Sequence, residues 1–238
     1  MQKLEQLYEG KAKKVFRTDN PDIYWIQYKD DATAFNAQKR GTIVGKGVIN
    51  NQMSAYWFER LSNEVGIPNH FIELLNDREM LVKAVEIVMT EVIVRNIAAG
   101  SMSRRLGIPE GQPLPFPVLE FCLKSDELSD PVINEDHIRA MELATDEEIA
   151  TIKDYTHKIN NFLKAELLKT GITLVDFKIE FGRYKGEIIL ADEISPDTCR
   201  FWDTATGKKL DKDRFRRDLG GVEEAYQEVF ARIIGGQK

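Results

Sequence analysis

Cysteine, histidine and long apolar runs are all scarce in this chain. Two cysteines, Cys122 and Cys199, stand far apart among 238 residues. That excludes a disulfide-stapled scaffold and a zinc module, which both need clustered thiols; reduced thiols in the cytoplasm are the simpler expectation. His70, His137 and His157 are the only histidines and are equally scattered, so no histidine metal centre is expected. No run is long enough to cross a bilayer, and Met1-Gln2-Lys3-Leu4-Glu5 lacks the apolar core of a signal peptide. The expected setting is therefore cytoplasmic, with no membrane partner. An excess of positive charge is missing too. With 33 Lys and Arg against 39 Asp and Glu, the net charge is −6, which argues against a nucleic-acid partner bound by bulk electrostatics. There is no internal repeat, no low-complexity segment, and no Cys-His or Ser-His constellation for nucleophilic catalysis.

What is present is an ordinary globular composition, 42% hydrophobic and 30% charged, in a chain long enough for one large domain or two lobes. The most informative stretch is Leu174-Val175-Asp176-Phe177-Lys178-Ile179-Glu180-Phe181-Gly182. Read as a strand, it puts Val175, Phe177, Ile179 and Phe181 on a buried face and Asp176, Lys178 and Glu180 on the other. Three charges in a row on an apolar strand mark either a solvated edge or a site, because burying an unpaired charge is costly. Gly182-Arg183-Tyr184-Lys185-Gly186 reads as a hairpin connection, and Glu187 to Glu193 as the return strand. A two-residue Lys185-Gly186 turn brings Asp192 nearly level with Glu180, whereas a longer loop moves it toward Asp176. In either register carboxylates and a lysine gather at one end of a hairpin. Such a cluster suits magnesium held against phosphates, with the Asp-x-Lys pair positioning a reacting group.

The remaining chain supplies anion-binding groups. Leu7 to Phe16 reads as two strands around a turn at Gly10, in which Lys11 and Lys13 either cap nucleotide phosphates or are solvated; Ile23 to Tyr28 is a third strand. Gly41-Thr42-Ile43-Val44-Gly45-Lys46-Gly47 fails as a P-loop: its glycines are too close and Gly47 replaces the metal-binding hydroxyl. It leads instead into a helix over Val48 to Glu64. Met80 to Val94 is strand-like in three pieces, with Lys83 either reaching phosphates or snorkelling at an edge. Arg95, followed by Ala99-Gly100-Ser101, reads as a strand end, small residues and a helical turn, a combination suited to a phosphate or to a solvated cap. Ile108 to Pro117 reads as a proline-rich connector before a strand over Val118 to Lys124. Thr145-Asp146-Glu147-Glu148 is a capping box opening a helix with an apolar stripe from Ile149 to Leu167. Ile194 to Asp203 is a loop suited to close over a ligand. Asp211 to Leu219 and Val222 to Ile233 read as helical, with Arg214, Arg216 and Arg217 on a solvated face.

Several of these stretches, in this order, resemble the SAICAR synthetase family over nearly the whole length. The resemblance rests on Gly10-Lys11-Ala12-Lys13, Glu91 to Arg95 followed by Ala99-Gly100-Ser101, Leu174 to Gly182, and Asp192-Glu193 through Ser195-Pro196-Asp197. One departure is visible: Met89 stands where the family usually carries proline, and Thr90 replaces an aliphatic residue. The resemblance implies an α+β, two-lobed ATP-binding fold with antiparallel sheets and flanking helices, distantly like that of protein kinases. Residues 1–86 would form a nucleotide-binding lobe and 87–238 a lobe carrying the metal and ribonucleotide sites. The implied reaction joins carboxyaminoimidazole ribonucleotide (CAIR) to L-aspartate as ATP becomes ADP and phosphate. Lys11, Ala12 and Lys13 would contact nucleotide phosphates, with Lys83 and Lys124 near the nucleotide and the backbone around Ile87 against adenine. Glu180 and Asp192 would bind Mg2+. Arg95, Ser101 and Arg200 would grip the ribonucleotide's 5′-phosphate, with Asp176 and Lys178 near its reacting end. A homodimer or larger homo-oligomer is also implied. The competing expectations are a small-molecule phosphotransferase on the same fold, which needs no second phosphate clamp, and a silent nucleotide-binding module, which would not need Asp176, Lys178, Glu180 and Asp192.

Overall fold

The computed structural model describes residues 1–34 and 38–235. The chain opens with β1 (Lys3–Glu9), β2 (Lys13–Thr18) and β3 (Ile23–Tyr28), then a two-stranded ribbon, β4 (Asp31–Ala34) and β5 (Lys39–Thr42). Helix α1 (Lys46–Arg60) follows and ends in a π-helical turn over Leu61–Val65. Strands β6 (Phe71–Asn76) and β7 (Glu79–Lys83) complete a five-stranded sheet of order β1-β2-β3-β7-β6.

Next come β8 (Glu86–Ile97), α2 (Gly100–Leu106), β9 (Pro113–Leu123), β10 (Val132–Ile133), α3 (Glu135–Ala140) and α4 (Asp146–Lys169). Strands β11 (Ile172–Tyr184), β12 (Glu187–Ala191) and β13 (Cys199–Asp203) then precede α5 (Asp213–Arg216) and α6 (Val222–Ile234). The second sheet runs β10-β9-β8-β11-β12, with β13 also paired to β11. All the named strand pairs are antiparallel, and the architecture is α+β.

Helix α4 begins as the capping box predicts: the Thr145 side chain accepts from the Glu148 amide, and the Glu148 carboxylate accepts from the Thr145 amide. Its Ile149, Ile152, Ile159, Leu163 and Leu167 join Phe177, Ile179 and Phe181 of β11 in the main core. Trp57 and Phe58 of α1 and Tyr226 of α6 join the same core, so the first helix packs with the second sheet's layer. The first sheet has a much smaller cluster, Ile26, Tyr28, Ala55, Met80 and Val82.

Several expectations change, among them the loop over Ile194 to Asp203, whose second half is β13. The pieces over Glu86 to Val94 are one strand reaching Ile97, and of the two alternatives for the charged strand the solvated edge is excluded, because β11 is central and Asp176 and Glu180 are buried. The second half of the predicted proline-rich connector, from Pro113 to Pro117, is the first half of β9, and only Ile108 to Gln112 stay outside a strand. The register with β8 shifts between Arg95↔Val118 and Ile97↔Pro113, so the prolines lie along an irregular stretch of the ladder, where a strand tolerates their missing donors. Only Asp213–Arg216 of the predicted Asp211–Leu219 helix forms, and its arginines are not merely solvated. The predicted Val48–Glu64 helix starts two residues early and gives up its last turn to the π-helical form.

Candidate active site

Strand β11 places the site because its outer neighbour is interrupted. Its first half pairs with β13 and its last part with β12, so the segment 192–198 leaves the sheet between them. The Lys178 amide still donates to Thr198 O at 2.8 Å, which anchors that segment beside the strand. The Lys185-Gly186 turn has both residues in the left-handed region, at φ of 51° and 86°, the geometry of a tight hairpin. It pairs Tyr184 with Glu187 and therefore Glu180 with Ala191. Asp192 arrives one residue beyond Glu180's partner, the shorter of the two predicted registers.

Two rows of charge result. In one, Arg95, Asp176 and Arg200 stand level across β8, β11 and β13. Arg95 donates to Asp176 Oδ2 at 3.1 Å, to Glu120 Oε2 at 2.8 Å and to Ser101 Oγ at 3.0 Å. Arg200 donates to both Asp176 oxygens at 3.0 and 2.8 Å, and to Asp213 Oδ2 at 2.8 Å. Gly100 opens α2 against this row: a Cβ there would lie 2.3 Å from Arg200 Nη2, and its φ of 56° is one that side chains rarely adopt.

In the other row, the Lys178 ammonium donates to Glu180 Oε1 and Asp192 Oδ2, each at 2.8 Å. Lys124 also reaches Glu180 Oε1, at 2.7 Å, and Lys13 donates to Asp192 Oδ1 and lies 3.2 Å from Glu193 Oε2. Glu180 and Asp192 thus already share one cation, and neither is further than a hydrogen bond from it. Burial opposes charge on Asp192, yet Lys13, Lys178 and Lys124 hold its carboxyl well below the usual range. Burial likewise works against Lys13 and Lys178, and their carboxylate partners more than compensate, keeping both ammoniums firmly protonated. Asp192 sits at φ 61°, a strained setting for a non-glycine residue of the kind that clusters at functional sites.

The rows open into two cavities. The larger, about 550 Å³, is lined by Lys11, Ala12, Lys13, Lys83, Ile87, Lys124, Glu180 and Asp192. Lys11 pairs with Asp126, and Lys83 donates to Asn69 O at 2.9 Å. His70 also lines it; burial and the nearby Lys13 push its imidazole down to about 3, so it is neutral. The smaller, about 270 Å³, is lined by Arg95, Ser101, Asp176 and Arg200. Lys178 lines both, as do Glu91, Asp197 and Thr198. Every site residue singled out from the sequence therefore borders one of two adjoining cavities.

Sequence reasoning missed the third cluster. Lys46, wholly buried, donates to Asp197 Oδ2 at 2.9 Å; Lys212 reaches the same oxygen at 3.2 Å, and the Tyr226 hydroxyl donates to Oδ1 at 2.6 Å. The only available signal was the Ser195-Pro196-Asp197 motif itself. Glu91 was also missed, although it lies 3.4 Å from Lys178. The rejected P-loop is closed for a structural reason as well: Asp30 accepts from the Gly45 and Gly47 amides at 3.2 and 2.8 Å, which occupies the donors a phosphate would use. Arg78 forks onto Asp30 and pulls its carboxyl down to about 2.

The sequence profile of the SAICAR synthetase family matches residues 6–233. The chain belongs to the SAICAR synthetase family. Phosphoribosylaminoimidazole-succinocarboxamide synthase of Lachnoclostridium phytofermentans is 61% identical over 98% of this chain and 99% of that protein. The protein of the same name from Coprothermobacter proteolyticus is 60% identical over the same shares. Among solved structures, the synthase from Ehrlichia chaffeensis superposes with a TM-score of 0.94 at 48% identity, covering 96% of this chain and 98% of that one. A SAICAR synthetase in complex with ADP gives a TM-score of 0.93 at 48% identity, covering 97% and 98%. The family's fold is thus the one observed.

Proposed function

We propose that this chain is the ATP-dependent ligase that joins CAIR to L-aspartate to give SAICAR, ADP and phosphate. The observation that carries this reading is the meeting of two cavities at Lys178, whose ammonium ties together the carboxylates of the larger one. An enzyme that first phosphorylates a carboxylate and then replaces the phosphate with an amine needs two such compartments with a common wall. The ADP complex of a relative supports nucleotide binding.

A carboxylate is a poor electrophile. In the proposed sequence, a carboxylate oxygen of CAIR attacks the γ-phosphorus of ATP and ADP departs. The amine of aspartate then attacks the acyl carbon, phosphate leaves, and the nitrogen gives up a proton. Arg95, Ser101 and Arg200 hold the ribonucleotide's 5′-phosphate in the smaller cavity, and Asp176 and Lys178 position its reacting end. Lys11, Ala12 and Lys13 line the phosphate end of the larger cavity, with Lys83 and Lys124 beside the nucleotide and Ile87 backbone at its base. Glu180 and Asp192 fit Mg2+: both offer hard oxygen donors, and they already share a cation. Among the described residues no group of three or more His, Cys, Asp or Glu could hold a metal alone, which suits an ion that completes its shell with phosphate and water. Bound there, magnesium supplies charge neutralisation to the transferring phosphoryl group.

The break between the sheets at Lys83 and Glu86 supports a nucleotide lobe over 1–86 and a metal and ribonucleotide lobe over 87–238, although α1 packs against the cores of both. A cytoplasmic setting is supported by two free, buried thiols, and among the described residues no helix is long and apolar enough to cross a membrane. Assembly as a homodimer or larger homo-oligomer follows from the family resemblance.

The test is to incubate the protein with MgATP and CAIR, with and without aspartate, and follow ADP. Stoichiometric ADP and SAICAR appearing only with aspartate is the expected result. ADP release indifferent to both substrates contradicts the ligase and points to a phosphotransferase or a bare ATPase, and no release at all points to a silent module.

A further inference from the structure

We propose that His70 is a positioning residue whose imidazole holds the strained backbone of Asp192 and, through it, the aim of that carboxylate. The consequence for metal binding rests on the role given to Asp192 in the ligase reading; the contact itself does not.

Asp192 is the residue at which the chain leaves β12, and its φ of 61° persists only if its surroundings hold it there. The support comes from the segment leading into β6. Strand β12 ends the second sheet, and residues 68–70 run along its outer edge. The Leu190 amide donates to Pro68 O and the His70 amide to Leu190 O, each at 2.9 Å. The same segment is tied to Lys83, the last residue of β7. Its amide donates to His70 O at 2.7 Å and its ammonium to Asn69 O at 2.9 Å. His70 therefore stands where the two sheets are joined, with its backbone fixed from both sides.

The side chain is only 7% exposed, and its ring meets that of Phe58 edge-on at 5.1 Å. A phenyl ring would serve that packing as well, whereas a buried imidazole has two nitrogens to satisfy. The imidazole lies within hydrogen-bonding reach of the Asp192 backbone. Its Nε2 has no hydrogen-bond partner among the described residues, and the residue lines the larger cavity beside Lys13, Lys83 and Asp192. The polar edge of the ring is thus directed to the strained residue and the cavity it borders, not to the core. Being neutral, the ring adds no fourth cation to the lysine row.

His70→Phe separates holding from packing, because it keeps an aromatic ring against Phe58 and removes both nitrogens. Hydrogen exchange of the unliganded protein reads the contact directly. The peptide over residues 189–194 should exchange about tenfold faster in the variant, while α4 exchanges as in the parent. Calorimetric titration with ADP reads the consequence. Affinity for ADP alone should stay within about threefold, whereas the tightening that magnesium confers should shrink about tenfold. The magnesium concentration for half-maximal turnover should rise about tenfold, with the CAIR KM little changed. His70→Leu gives the same readouts if the phenylalanine variant does not fold. His70→Gln, which restores a donor and an acceptor, should recover most of each effect. Parent-like exchange over 189–194 in the apolar variants overturns the proposal, as does a loss of ADP affinity that is equal with and without magnesium. If magnesium does not tighten ADP binding to the unaltered protein, the metal role of Asp192 fails instead. Exchange then decides alone: faster exchange in the apolar variants upholds the hold on Asp192, and unchanged exchange refutes it.

Discussion

The two rows of charge on β11 lie only two to four residues apart, yet they are made from different cations. Arg95, Asp176 and Arg200 are level across three paired strands, so backbone register fixes their geometry. The Arg95 side chain is 3% exposed, whereas Lys13, Lys178 and Lys124 are 18%, 23% and 38% exposed, and the three come from different strands and a strand end. A guanidinium is a rigid fork and holds an oxyanion in one orientation; an ammonium on a flexible stem can change partners. The arginine row is therefore suited to grip a group that stays put, such as the ribonucleotide's phosphate. The lysine row is suited to surrender Glu180 and Asp192 to a metal and turn to a triphosphate. Pre-pairing also keeps each row buried without an uncompensated charge.

Asp192→Asn probes the lysine row where it should fail hardest. Lys13 keeps Glu193, and Lys178 keeps Glu180 and Glu91, so the fold should survive. Turnover should fall roughly a thousandfold, the scale seen when a preorganised electrostatic partner is removed. Unchanged circular dichroism with near-abolished ADP production is the expected pair of results; a near-normal rate at ordinary magnesium would show that this row does not hold the metal.

Arg200→Ala should hurt less and differently. The expected signature is a CAIR KM raised about tenfold or more, with the ATP KM little changed. Gly100→Ala should reproduce that signature without touching a charge, because the new methyl would occupy the place of the Arg200 guanidinium. An effect of either change confined to ATP would dissolve the distinction between the rows.

How much of this was legible depended on whether the partners are local. The alternation of Asp176, Lys178 and Glu180 announces a charged strand face, Lys185-Gly186 announces its turn, and Thr145 with Glu148 announces a helix start. Each signal lies within a few residues of what it determines. Lys46 carries no such mark, because its buried partner Asp197 is 151 positions away. Arg216 and Arg217 read as solvated for the same reason: no pattern predicts that Arg216 turns onto buried Asp213 or that Arg217 reaches Glu110 across 107 positions. The prolines of β9 misled because sequence shows their missing donors but not that the strand's register shifts where they stand.

The smallest expected effect sharpens the comparison through pH. Beneath Arg200, wholly buried Asp211 accepts from the Phe201 amide at 2.8 Å and the Asp213 amide at 2.7 Å. Burial, reinforced by the charge of Asp213, pushes the Asp211 carboxyl up to about 7. At Asp213 burial is outweighed by Arg200 and Arg216, and its carboxyl falls to about 2. Between the ordinary carboxylate range and about 7, folded Asp211 therefore keeps a proton that the unfolded chain has lost. Its contribution to stability must fall as pH rises through that window and level off above it. His70, pushed down to about 3, contributes the opposite slope below its ordinary value, but it does so equally in the parent and in Asp211→Asn. The difference between the two melting curves isolates Asp211. From pH 6.5 to pH 8 the parent should lose roughly 2–4 °C more in Tm than the variant, equivalent to about 1 kcal/mol for a chain of this size. Parallel pH profiles would mean that Asp211 is ionised throughout, and that the arginine row rests on a fully charged support much like that of the lysine row.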